Sequence, residues 1–142
     1  MPPSGERTEP VGGAHRRRPI EEISATDAPA SIGPFLQAIR DGDRVYVSGQ
    51  GPVDPETGEV VSDDVREQTE RTLENVDAVL AAADLSLADV VKATVFLTDM
   101  ENYDAVSEVY GEYISDLYPA RSAVEVSELP IEIEVVASTR AE

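Results

Sequence analysis

The sequence predicts an α+β domain in which two helices cover one face of a mixed β-sheet. Three observations carry this. Val65, Thr69, Thr72, Leu73, Val76, Val79, Leu80 and Ala83 repeat at helical spacing. The run Val90-Val91-Lys92-Ala93-Thr94-Val95-Phe96-Leu97 is nearly continuous, β-branched and too short for a typical helix. Alternating apolar segments lie on both sides of these two elements, in the order β-β-α-β-α-β-β.

Residues 1–22 mix Pro, Gly, Arg and Glu without apolar periodicity and read as a disordered tail. The run His15-Arg16-Arg17-Arg18 reads there as a solvated segment, not as a nucleic-acid or membrane contact. The folded domain is expected over residues 23–142, with a short strand near Ile23. Pro34 to Ile39 and Arg44 to Ser48 are strand candidates joined by the hairpin signal Asp41-Gly42-Asp43. Ser48-Gly49-Gln50-Gly51-Pro52 ends the second strand, and Pro55-Glu56-Thr57-Gly58 is a turn. Asp64 with Glu67 fits a capping box at the first helix start. The strand 90–97 follows and reads as a central strand covered on both faces or at an interface. A second helix runs from about Glu101 to Ile114, with Tyr103, Val106, Tyr110, Tyr113 and Ile114 inward; Tyr103 and Tyr110 read as core or interface residues. Two strands close the domain, Ser122 to Val126 and Ile131 to Ala137. Two helices cover such a sheet poorly, so its other face is expected to be buried in an oligomer.

Composition narrows the chemistry. The 142 residues hold no cysteine, and no apolar run approaches 18 residues, so disulfides, thiol nucleophiles and a membrane span are excluded. No secretory signal is visible, and a cytoplasmic location is expected. His15, in the tail, is the sole histidine, which removes Ser-His-Asp triads, histidine-ligated zinc and histidine acid–base catalysis. No phosphate-binding or dinucleotide-binding glycine motif occurs. Net charge is −18, and the tail is balanced, so the excess lies on residues 23–142. That field repels nucleic acid. With Lys92 as the single lysine, it fits a halophilic protein whose self-repulsion is screened by salt.

Carboxylates, hydroxyls, backbone amides and arginine remain. Such groups can bind a small anion and position water against an already activated electrophile, without metal or cofactor. Arg121 is the leading candidate. It stands in Pro119-Ala120-Arg121-Ser122-Ala123-Val124-Glu125-Val126, at the mouth of a strand, where an unpaired guanidinium is costly. Its partner is either a ligand carboxylate held bidentately or one of the chain's own acids. In Ile131-Glu132-Ile133-Glu134, alternation turns Glu132 and Glu134 to one face and the isoleucines to the other.

Several blocks together resemble the RidA (YjgF/YER057c/UK114) family: Ala28-Pro29-Ala30-Ser31-Ile32-Gly33-Pro34-Phe35, Val45-Tyr46-Val47-Ser48-Gly49-Gln50-Gly51-Pro52, Pro55-Glu56-Thr57-Gly58-Glu59, Lys92 to Met100 and Pro119 to Val126. The likeness spans residues 23–139. It implies a chorismate-mutase-like fold and a homotrimeric barrel with clefts between subunits. The implied activity is hydrolytic deamination of reactive 2-imino or enamine acids, such as 2-aminoacrylate, to 2-oxo acids and ammonia, with no cofactor. By position, Arg121 would hold the substrate carboxylate. Gly49 and Ala123 would meet the imine end through their backbone, Ser48 would lie close by, and Glu132 would orient or deprotonate the attacking water.

This chain departs from the family pattern in three places. Phe35 stands where tyrosine is frequent, and Ser107 where the second helix usually carries asparagine. The connection between Pro130 and Ile131 is about four residues shorter than usual, an even number that preserves side-chain alternation. These departures keep open a second reading, a non-catalytic trimer of the same fold that binds small carboxylates or a partner protein.

Overall fold

The computed structural model describes residues 20–114, 117–128 and 130–139. The basic run Arg16 to Arg18 and the rest of 1–19 lie outside the described residues. Ten elements follow the chain: β1 Ile20–Ile23, β2 Ala38–Asp41, β3 Arg44–Gln50, α1 Val65–Ala81, a 3-10 turn Leu87–Asp89, β4 Val90–Leu97, a 3-10 turn Met100–Asn102, α2 Tyr103–Tyr113, β5 Ala120–Glu125 and β6 Ile131–Ser138. The strands form one six-stranded sheet in the order β1-β2-β3-β6-β4-β5. Only β4 and β5 run parallel. A parallel pair needs a crossover, and α2 supplies it.

The alternation of Ile131, Ile133, Val135 and Ala137 on β6, of Ala93, Val95 and Leu97 on β4, and of Val45 and Val47 on β3 builds the core face. Leu73, Val76, Val79 and Leu80 of α1 pack on it, completely buried. α1 lies over β6 and β3 and contacts α2. Arg66 pairs with Glu108, and the Tyr113 hydroxyl donates to Glu74 Oε2 at 3.0 Å, tying the helices across their wet side. The opposite face of the sheet presents Ile39, Tyr46, Phe96, Val124 and Val136, with Tyr46 46% and Val124 44% exposed. Both helices lie on the other side, as the stripe pattern predicts.

Four local expectations need correction. The strand expected from Pro34 begins only at Ala38. Gly33 has φ 120°, a Phe35 N–H to Gly33 carbonyl bond of 2.9 Å closes a tight turn, and the alternation there is a loop rather than a strand. β1 takes in Ile20, Glu21 and Glu22, which the sequence assigns to the tail, because they pair with Asp41, Arg40 and Ile39. At α1, Asp64 accepts from the Arg66 N–H at 2.9 Å, while the reciprocal capping box forms elsewhere, between Ser86 and Asp89. β5 starts at Ala120 rather than Ser122, which places Arg121 inside the strand.

Candidate functional site

Arg121 enters through strand register. It pairs with Ala93 of β4, whose side chain is fully buried on the helix side, so Arg121 points toward α2. There Nη2 donates to Tyr103 Oη at 2.7 Å and to Ser107 Oγ at 3.0 Å. The guanidinium carbon lies 4.7 Å from the Tyr110 ring centroid and 5.4 Å from that of Tyr103, within cation–π range. Residues 103, 107 and 110 follow one another at helical spacing, so one stripe of α2 forms the cradle. Among the described residues, no acid forms an ion pair with Arg121. A pocket of about 330 Å³ opens beside it, lined by Ser107, Tyr110, Gly111, Tyr118, Pro119 and Arg121. Tyr110 Oη is buried without a hydrogen-bond partner among the described residues; burial raises its pKa, against the lowering effect of Arg121. Ala123, two residues along β5 and paired with Val95, shares this face.

Glu132 stands elsewhere. It pairs with Phe96 of β4, and its neighbours Ile131 and Ile133 are completely buried on the helix side. Its carboxylate therefore lies on the open face. Between Val47 and Gln50, three steps on β3 match two on β6, a bulge at Ser48 and Gly49. The extra residue lets Val47 and Gln50 both turn inward. It also lays the Gly49 backbone under the Glu132 side chain, where no Cβ intervenes. Partial burial, with Glu134 two residues along as the smaller cause, raises the Glu132 pKa.

The backbone around Gly49 is held from behind. The buried Asn75 amide donates to the Gly51 carbonyl at 3.0 Å and to that of Val53 at 2.8 Å. Gln37 accepts from the Ala25 N–H at 2.6 Å and donates to the Pro29 carbonyl at 2.7 Å. Ser48 Oγ donates to the Leu36 carbonyl at 2.7 Å and fixes the loop carrying Phe35. Phe35 and Ser48 line a cavity of about 630 Å³ on the open face, together with Tyr46, Lys92 and Glu134. Phe35 also joins Gly49 in a smaller groove of about 160 Å³.

The seven residues singled out in the sequence thus fall into two groups. Arg121, Ser107 and Ala123 share the helix side, while Glu132, Gly49, Ser48 and Phe35 gather on the open side. Register places Arg121 and Glu132 three residues apart along β4 and on strands flanking it, roughly 14 Å at ordinary strand spacings. The sheet itself separates them. Tyr103 and Tyr110 are expected as core or interface residues, and the sequence reading does not find their contact with the arginine. Their shared stripe with Ser107 was the available signal.

No group of three or more potential metal ligands occurs among the described residues, and none of their helices is long and apolar enough to cross a membrane. What the arrangement offers is an arginine at an open pocket and, across the sheet, a carboxylate laid on bare backbone. Comparison with known proteins gives the family. Residues 25–139 match the endoribonuclease L-PSP family, and the chain belongs to this family, the RidA/YjgF group. A RutC family protein of Pyrococcus horikoshii is 50% identical over 121 residues, 82% of this chain and 96% of that one. TdcF of Escherichia coli, provisionally named a reactive intermediate deaminase, is 43% identical over 122 residues, 81% of this chain and 94% of its own. Its structure with bound serine has a TM-score of 0.78 and 41% identity, covering 85% of this chain and 99% of that one. A Thermotoga maritima structure provisionally named an endoribonuclease has a TM-score of 0.82 and 46% identity, covering 85% and 98%.

Proposed function

We propose that this protein hydrolyses reactive 2-imino acids, including the imine tautomer of 2-aminoacrylate, at sites built between the subunits of a homotrimer. The observation that carries the reading is the placement of Arg121 and Glu132 on opposite faces of one sheet. Arg121 lies beside an open pocket, Glu132 is partly exposed against Gly49, and neither can serve the other within a chain. A neighbouring copy that covers the apolar open face would bring its own Arg121 pocket to Glu132 and Gly49. The relationship to TdcF supports the substrate class, since serine, bound in that relative, is a compact amino acid whose carboxylate suits an arginine.

Arg121 binds the substrate carboxylate, and the backbone at Gly49 receives the imine nitrogen. Glu132 of the adjoining subunit takes a proton from water as the oxygen adds to the imine carbon. The carbon–nitrogen bond then breaks, ammonia leaves with the returned proton, and the carbonyl of the 2-oxo acid forms. The negative carboxylate also stabilises the cationic imine on approach. No cofactor is required. The strong negative charge fits a salt-rich cytoplasm and disfavours a nucleic-acid substrate.

Subunit mixing tests this. Arg121→Ala and Glu132→Gln homo-oligomers should each lose turnover of 2-aminoacrylate generated in situ, the arginine variant by about 30- to 1000-fold. Refolded together in equal amounts, they should recover about a quarter of wild-type turnover, the statistical share of sites with both groups intact. A mixture as inactive as its parents overturns the shared-site reading. Binding of 2-oxobutanoate by a wild-type protein without imine turnover would favour the non-catalytic carboxylate binder.

A further inference from the structure

The guanidinium of Arg121 is already engaged at the nitrogen a carboxylate needs. Cζ lies over the Tyr110 ring, 4.7 Å from its centroid, and the Tyr103 ring is 5.4 Å away with its hydroxyl on Nη2; a carboxylate must meet the N–H groups in the guanidinium plane, along an edge. An arginine offers two forks to a carboxylate, one from Nη1 with Nη2 and one from Nε with Nη2. Both forks use Nη2. That nitrogen has two hydrogens and two acceptors, Tyr103 Oη at 2.7 Å and Ser107 Oγ at 3.0 Å. A bidentate carboxylate can therefore be accommodated only if one hydroxyl gives way.

The two hydroxyls are not equivalent. Ser107 lines the pocket of about 330 Å³ beside Arg121, and Tyr103 does not. A serine hydroxyl swings on one torsion, whereas the Tyr103 ring also lies against the guanidinium. We propose that Ser107 is a displaceable stand-in for the ligand carboxylate: it occupies Nη2 in the empty site, turns away on binding and lowers affinity for carboxylates, while Tyr103 stays and fixes the guanidinium. This positioning role rests on the reading of Arg121 as the carboxylate anchor. Because a hydroxyl restores the Nη2 hydrogen bond when the acid leaves, Ser107 favours release of the 2-oxo acid product.

The test is calorimetric titration of the full chain with 2-oxobutanoate and its neutral isostere 2-oxobutanamide. Ser107→Ala leaves an Nη2 hydrogen without its partner until the acid binds. It should tighten 2-oxobutanoate binding by about 3- to 10-fold and leave the amide unchanged. Tyr103→Phe should not tighten the acid. Thermal midpoints taken alongside separate these effects from loss of fold. Unchanged or weaker acid binding by a folded Ser107→Ala protein, with binding still abolished in Arg121→Ala, overturns the stand-in and leaves the anchor in place. Equal tightening for the amide also overturns it. If Arg121→Ala binds the acid like wild type, or wild type does not bind it, the anchor fails and the stand-in with it.

Discussion

The Glu132 side chain crosses the Gly49 backbone so closely that a Cβ built at position 49 would collide with Oε2 and lie 2.6 Å from Cδ and 2.8 Å from Cγ. The Glu132 arm occupies the space a side chain at 49 would take, so any such side chain makes that arm swing aside; the glycine φ is not in the left-handed region. Gly49→Ala should push the carboxylate out of register. The expected result is at least a 10-fold loss of imine turnover, with little change in urea unfolding because the Glu132 arm can swing aside.

Activity should carry the signature of a perturbed carboxylate. Burial first, and Glu134 second, raise the Glu132 pKa. As the base, Glu132 must be ionised, so the acid limb of the rate profile should lie above the ordinary glutamate range. Glu134→Gln should move that limb to lower pH. The stability consequence has a definite sign. The folded state holds this proton more tightly than the unfolded chain, so stability falls as pH rises from the unfolded pKa through the folded one. Glu132→Gln should remove that fall, read by melting curves across the same interval.

Much of this architecture is legible in the residues themselves. The stripe of α1, the β-branched β4 and the alternation of β6 each state their element and buried face, because burial imposes a period on the side chains. Alternation alone misleads at Pro34 to Leu36, where Gly33 and the local turn divert the chain. The site was half readable. Arg121 and Glu132 stand out as chemistry, but the face each takes across the sheet depends on β5 joining β4 in parallel, and register between distant strands leaves no local trace. The α2 cradle was hidden for a related reason: an aromatic facing the core and one facing an arginine have the same spacing.

Asp84, just past α1, has φ 62°, a backbone region that side chains rarely adopt. Aspartate tolerates it better than most residues. Asp84→Ala should destabilise the fold by about 1 kcal/mol, and Asp84→Gly should be neutral or slightly stabilising, as judged by chemical denaturation.

The charge of −18 predicts a response to salt. Raising KCl from about 10 mM to about 1 M shortens the Debye length from about 30 Å to 3 Å and relieves repulsion among the surface acids. The melting temperature should climb across that range. A flat profile would remove the halophilic reading.

The sheet that holds Arg121 on one side and Glu132 on the other is also a partition. A lone chain, fully folded, would own both groups and be unable to bring them to the same molecule. On the shared-site reading, dilution alone should then silence the protein: specific activity would vanish below the concentration at which chains associate, with circular dichroism unaltered, and return on concentrating the sample. Catalytic competence would in this way report how much of the protein is present.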